Sequence, residues 1–165
     1  AEILKKTNFS FLHCVTLYPT PVNEMHMARM NWLRSFTPSV GYSDHSLVSE
    51  TGLLGSKAAL ALGANLIERH FTILPPEKTK DGPVSINKDQ LHELYNFSKL
   101  SVSDRIIKLD DDHPEWRIVI GDQDRKLSDG ELLNRDYYRG RFASKRKETV
   151  TGDRMIFNWE ETPLV

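Results

Sequence analysis

The chain has a single cysteine, Cys14, which excludes an intramolecular disulfide framework and any zinc site built from several thiolates. It has no surplus of basic residues. Lys+Arg number 22 against 23 Asp+Glu, a formal net charge of −1. A phosphate backbone would meet no complementary field, so nucleic acid is not an expected partner. Long apolar runs are also missing: the longest, Ala58 to Leu62, falls far short of the roughly 20 residues needed to cross a bilayer, so no membrane role is expected. No charged stretch followed by an apolar one opens the chain as a secretory signal would. These absences together point to a soluble chain in a reducing, intracellular setting, the cytoplasm. What is present, 39 % hydrophobic and 27 % charged residues, is the composition of a folded protein rather than a disordered tail. The 165 residues suffice for one domain or part of a larger one. The start at Ala1 rather than Met favours a trimmed chain or a fragment.

The first two thirds alternate in period. Phe9 to Val15 is a short, nearly continuous apolar run, as a strand buried on both faces should be. After Tyr18-Pro-Thr-Pro21, the positions Met25, Ala28, Met30, Trp32, Leu33 and Phe36 form an apolar stripe on a helix with Asn23 as its N-cap. Ser39 to Tyr42 reads as a second strand. Ser49 opens a helix over residues 50–62 whose small side chains suit close packing on a sheet, and Gly63 ends it. Asn65 to Phe71 is a third strand, and Asn87 caps a helix over residues 88–100. Strand starts near 9, 39 and 65, spaced by 30 and 26 residues, fit consecutive βα units of a parallel sheet. Three such strands alone leave two open edges, which strengthens the expectation of a fragment and predicts that the isolated chain folds poorly. Beyond Leu100 the chain is more polar, with a short helix expected from Glu115 to Ile120. It ends in two β segments, Tyr138 to Ser144 and Arg154 to Trp159, joined through a turn at Thr151-Gly-Asp153. No internal repeat is visible.

In parallel α/β structures ligand sites gather at the carboxyl ends of the strands. Three such ends carry reactive residues: His13 to Tyr18, Gly41 to His45, and Glu68 to Thr72. Neighbouring strands lie about 4.8 Å apart, so His45 and His70 can converge. Two neutral imidazoles with open positions suit a divalent metal, whereas a lone strand-end histidine is more often a hydrogen-bonded structural residue. Asp44 and Glu68 flank the pair. His26, His92 and His113 read as solvated surface, His13 as core or as a support for the site, and Cys14 as a small buried hydrophobe. The loop Lys78 to Ser85 holds a Gly-Pro turn, a carboxylate, ammonium groups and hydroxyls. It either folds over a polar substrate or is an ordinary solvated loop.

Five segments resemble, in order and spacing, the sialic acid synthase (NeuB-like) family, which comprises N-acetylneuraminate synthase and its legionaminate, pseudaminate and spore-coat polysaccharide relatives. They are His13-Cys-Val-Thr-Leu-Tyr-Pro-Thr-Pro21, Gly41-Tyr-Ser-Asp-His45, Ala61-Leu-Gly-Ala64, Ile67-Glu-Arg-His-Phe-Thr72 and Asp81-Gly-Pro83. The resemblance covers about residues 8 to 100. It implies an α/β fold, the last three βα units of a TIM (β/α)8 barrel over residues 1–101. A C-terminal extension with a β-hairpin over 102–165 would follow, without a complete antifreeze-like domain. A whole barrel takes about 250 residues, and the implied earlier strands carry the phosphate-binding lysines.

The implied reaction condenses phosphoenolpyruvate with an N-acylated amino sugar such as N-acetylmannosamine, giving a nine-carbon 2-keto acid and phosphate. The implied cofactor is Mn²⁺ or Mg²⁺ held by His45 and His70, and the expected catalytic set is His45, His70 and Glu68. Thr16, Tyr18, Ser43, Asp44 and Asp81 are the expected substrate-binding residues. Ser43 would serve phosphoenolpyruvate, Tyr18 and Asp81 the sugar. The family usually has Asn where Thr16 stands, and the loop around Asp81 is shorter than usual. A homodimer is expected of the full-length protein. The alternatives are a non-catalytic remnant or sugar-binding module of the same fold, or another phosphoenolpyruvate-dependent 2-keto-3-deoxy sugar acid synthase.

Overall fold

The computed structural model describes residues 4, 6–138, 141–145 and 157–161. These fall into two compact units, Ala1–Lys126 and Leu127–Val165. In the first, β1 (Phe11–Cys14), β2 (Val40–Asp44) and β3 (Leu66–Arg69) form a parallel sheet in that order. The three strands lie within the segments expected from the sequence, give or take two residues. Short strands joined by helices can be parallel only through crossovers, and α1 (Arg29–Leu33) and α3 (Leu54–Ala61) provide them.

The register lines up Leu12, Gly41 and Leu66 in one row, and Cys14, Ser43 and Glu68 in another. His13, Tyr42 and Ile67 share the row between these two, and by the period of two they face the opposite side. That opposite side is the core: Tyr42 and Val40 pack with Met25, Met27, Met30, Ala58 and Leu94. Of these three strands only β2 is buried along its whole length. The expectation that the first strand is buried on both faces is corrected: Leu12 and Leu66 are 37 % and 44 % exposed, because among the described residues helices cover one face of the sheet.

Several elements differ from the sequence reading for local reasons. The long helix expected from Met25 to Phe36 is broken. Val22–Glu24 is a 3-10 turn, and His26 takes a positive φ of 43°. That reversal lets the N–H groups of Met27 and Ala28 bond the carbonyls of Val119 and Ile120 at 2.9 and 2.8 Å. The helix expected from Ser49 is split by Gly52, at φ 53°, into α2 (Val48–Thr51) and α3, with Leu47 rather than Ser49 at the N-cap. Gly63, at φ 83°, follows the end of α3 as expected. Asn87 caps α4 (Lys88–Ser98) with a capping box closed by Gln90.

The sequence reading missed α5 (Val102–Asp112), although Ser101 caps it by accepting the Asp104 N–H at 3.1 Å. Both α4 and α5 pack on α3, so the first unit continues past Ser101 to Lys126. The short helix expected from Glu115 is a 3-10 turn, Trp116–Val119. In the second unit α6 (Asp129–Tyr138), also missed, precedes an antiparallel pair of β4 (Arg141–Lys145) and β5 (Phe157–Glu161). The turn expected at Thr151-Gly-Asp153 lies outside the described residues. No helix among the described residues is long and apolar enough to cross a membrane.

Candidate active site at the strand ends

The chain leaves β1, β2 and β3 at the same end of the sheet, which brings three loops together. After β1 the segment Val15 to Thr20 turns back on β2, and the Thr20 N–H donates to the His45 carbonyl at 3.0 Å. The Tyr18–Pro19 bond in this segment is cis. After β3, the His70 carbonyl accepts the Ile86 N–H at 2.8 Å and the Thr72 N–H donates to the Ile86 carbonyl at 3.0 Å. The whole 71–86 loop is thereby clipped at its base. Within it Gly82 admits no side chain, since a Cβ would lie 1.8 Å from the Pro76 carbonyl oxygen.

Three rings meet where these loops converge. His45 and His70 have centroids 5.4 Å apart, and Tyr18 lies 5.2 Å from His45 and 5.9 Å from His70. The Tyr18 hydroxyl donates to Asp81 Oδ1 at 2.8 Å, joining residues 63 positions apart. Burial, then the bond to Asp81 and its negative charge, pushes the phenol up to about 12, so it remains a hydrogen-bond donor through the physiological range. Burial, and secondly the neighbouring His70, lowers the His45 pKa and favours the neutral imidazole, the form that binds metals. Cys14 Sγ lies 3.8 Å from His45 Nδ1.

A cation bound at about 2.1 Å to one nitrogen of each imidazole would set the ring centroids about 5 Å apart. The observed 5.4 Å and the lowered pKa of His45 are compatible with such an ion. Among the described residues no group of three or more His, Cys, Asp and Glu side chains is arranged to hold one.

The remaining expected residues divide between this cluster and its surroundings. Ser43, 4 % exposed, and Glu68, exposed, flank each other across β2 and β3 on the open face of the sheet. Thr16 is exposed just beyond β1. Asp44 is placed differently from a substrate ligand. It is wholly buried and turned to the helix side, where it pairs with Arg69.

Two other readings, of Cys14 and His26, are corrected, and the alternative left open at His13 is resolved. Cys14 is exposed, not buried, because it points to the open face while His13 points to the core. The alternation of His13 and Cys14 was the signal for this. His13 is a core residue, its Nε2 bonded to the Met25 carbonyl at 2.7 Å. His26 is not plain surface: its Nδ1 accepts the Asp122 N–H at 3.1 Å and Glu24 lies 3.7 Å from its Nε2. His92 is exposed, as expected.

A parallel βα sheet that collects imidazoles, a phenol and carboxylates at the carboxyl ends of its strands has the layout in which α/β folds build ligand sites. Comparison with known proteins makes the class specific. The model of the NeuB family matches residues 2–102, and the chain belongs to that family, as the five sequence segments imply. It is 45 % identical over 80 residues to N,N'-diacetyllegionaminic acid synthase of Campylobacter jejuni, covering 48 % of this chain and 22 % of that protein. It is 32 % identical over 142 residues to the synthase of the same name from Legionella pneumophila, covering 86 % and 34 %. The chain thus spans about a quarter to a third of the length of such relatives.

Among solved structures, the fold resembles the spore coat polysaccharide biosynthesis protein spsE of Bacillus subtilis. The TM-score is 0.57 at 22 % identity, over 91 % of this chain and 42 % of that one. It also resembles N-acetylneuraminic acid (sialic acid) synthetase of Leptospira borgpetersenii. There the TM-score is 0.51 at 25 % identity, over 81 % and 41 %.

Proposed function

We propose that this chain carries the metal- and sugar-binding strand ends of a sialic-acid-type synthase, as the last three βα units of a (β/α)8 barrel in the cytoplasm. The reaction joins C3 of phosphoenolpyruvate to the aldehyde carbon of an N-acylated amino sugar such as N-acetylmannosamine. Water adds at C2, and phosphate leaves by C–O cleavage to give the 2-keto acid. His45 and His70 would hold Mn²⁺ or Mg²⁺, whose chemistry when bound is Lewis-acid polarisation of the sugar aldehyde.

The chain's own residues have separate tasks in this reading. The Asp81 carboxylate and the Tyr18 ring orient the sugar: Asp81 accepts from its hydroxyls and Tyr18 stacks beside the reacting end. Ser43 and Thr16 offer hydroxyls to phosphoenolpyruvate, Thr16 in place of an amide. Glu68, exposed on the open face, completes the proposed catalytic set with the two histidines.

The observation that supports this reading most strongly is the meeting of His45, His70 and Tyr18 within 5.9 Å, with Asp81 bonded to the phenol. The test is Mn²⁺ titration and phosphate release in the full-length protein that contains this chain, beside His45→Ala and His70→Ala. Each alanine should weaken Mn²⁺ at least tenfold and abolish turnover. Unchanged affinity and turnover in both variants would remove the assignment. Binding of N-acetylmannosamine without any turnover in the parent would favour the sugar-binding module instead.

A further inference from the structure

The last registered pair between β2 and β3 is Asp44 with Arg69. His45 and His70 are the very next residues, at the point where the ladder between the two strands ends. On the buried face side chains also tie the two strands together at this point. Arg69 Nη1 pairs with Asp44 Oδ2 and also donates to Ser46 Oγ at 3.1 Å, while Nη2 donates to the Ser46 carbonyl at 2.9 Å. One guanidinium therefore grips β2 on both sides of His45, at the residue before it and the residue after it.

The carboxylate is fixed in turn. Asp44 Oδ1 accepts the Ser46 N–H at 3.0 Å and its hydroxyl at 2.7 Å, and Oδ2 accepts the Ser56 hydroxyl of α3 at 2.7 Å. Asp44 is 0 % exposed and the Arg69 side chain 3 %, so water does not compete for these bonds. Burying an ion pair is a poor route to stability, and such pairs persist where they fix one arrangement among several.

We propose that Asp44 and Arg69 are positioning residues that set the separation of the His45 and His70 imidazoles, a role that rests on the reading of that pair as the metal ligands. Arg69 acts through a planar fork with three directed contacts, whereas a methionine of similar length retains none. A lysine keeps the charge and one contact to Asp44.

The experiment uses the full-length protein that contains this chain and has two readouts. One is the Mn²⁺ dissociation constant from the electron paramagnetic resonance of free Mn²⁺. The other is the ring-to-ring NOE between His45 and His70 in metal-free protein. Arg69→Met should weaken Mn²⁺ at least tenfold and erase the NOE, and Arg69→Lys, which keeps the Asp44 contact and loses those to Ser46, should fall between Arg69→Met and the parent in both. Asp44→Asn combined with Arg69→Gln removes both charges together, so no lone buried charge threatens folding. Cooperative melting of this double variant with a lost NOE supports the proposal. Cooperative melting with NOE and affinity both retained overturns it, as does an Arg69→Lys protein no better than Arg69→Met. Should the parent bind Mn²⁺ no better than His45→Ala, the metal reading fails, and the NOE alone then decides whether the ion pair positions the rings.

Discussion

Gly55 in α3 offers a test in which two opposing effects of known size compete. A Cβ built on Gly55 lies 2.8 Å from Asp44 Oδ2 and 3.1 Å from its Cγ and Oδ1, where ordinary contact begins at 3.4 Å. In an exposed helix Gly→Ala is stabilising by about 1 kcal/mol, since the unfolded chain loses freedom. Here the obstructing atom is the tip of a short side chain that ordinarily would swing away. It has nowhere to go, because Ser46, Ser56 and Arg69 hold the carboxylate from three sides. Overpacking costs about 1–3 kcal/mol, and stretching one charge-assisted hydrogen bond adds to it, each being worth about 1.5–3 kcal/mol when intact. The steric cost exceeds the helix gain, and Gly55→Ala should destabilise by about 1–3 kcal/mol. Urea unfolding would show the midpoint falling by about 1 M with the slope unchanged, given slopes of about 1–3 kcal/mol per M. An unchanged or raised midpoint would refute the reasoning, because it would mean that the carboxylate yields freely.

Two further outcomes concern protons. Burial, against a hydrogen bond to Met25, lowers the His13 pKa below its unfolded value of 6.5, so the folded state resists the proton that the unfolded state accepts. The contribution of His13 to stability is complete above pH 6.5 and is lost as the pH falls from there to its folded pKa. His45, shifted the same way, adds to the trend. Unfolding free energy measured from pH 7.5 to 5 should fall, with a shallower slope in His13→Gln, and a rise over that range would contradict the burial argument. At the other end of the scale, Asp81→Asn removes the carboxylate that helps hold the Tyr18 phenol near 12. Ultraviolet difference titration should show one tyrosine ionising closer to 10, and an unaltered curve would mean that the Tyr18–Asp81 bond is absent in solution.

How far the sequence could be read varied by residue for physical reasons. The three strands and the cap at Asn87 were legible because apolar runs and side-chain capping act over a few neighbours. The breaks at His26 and Gly52 were not, since continuous apolar stripes run across both. What stops the helix at His26 is a pair of backbone bonds to Val119 and Ile120, more than ninety residues away. The α5 helix was overlooked behind its acidic run at Asp110 to Asp112, although the Ser101 and Asp104 cap was there to be read. Asp44 and Cys14 were misjudged in opposite directions. A carboxylate beside a histidine looks like a ligand and a lone cysteine looks like core, yet the alternation of a strand sends Asp44 inward and Cys14 outward.

By itself the sequence determined the family, the parallel βα order and the two histidines, because these rest on residue identity and on spacings that survive without coordinates. The tertiary structure decided which side chains are companions. It set Tyr18 on Asp81, placed both imidazoles beside that phenol, and drew Asp44 beneath them onto Arg69. Residues 63 positions apart meet only when the register of neighbouring strands and the closure of loops bring them within hydrogen-bond reach. That register is a property of the packed sheet, which no local stretch of chain encodes.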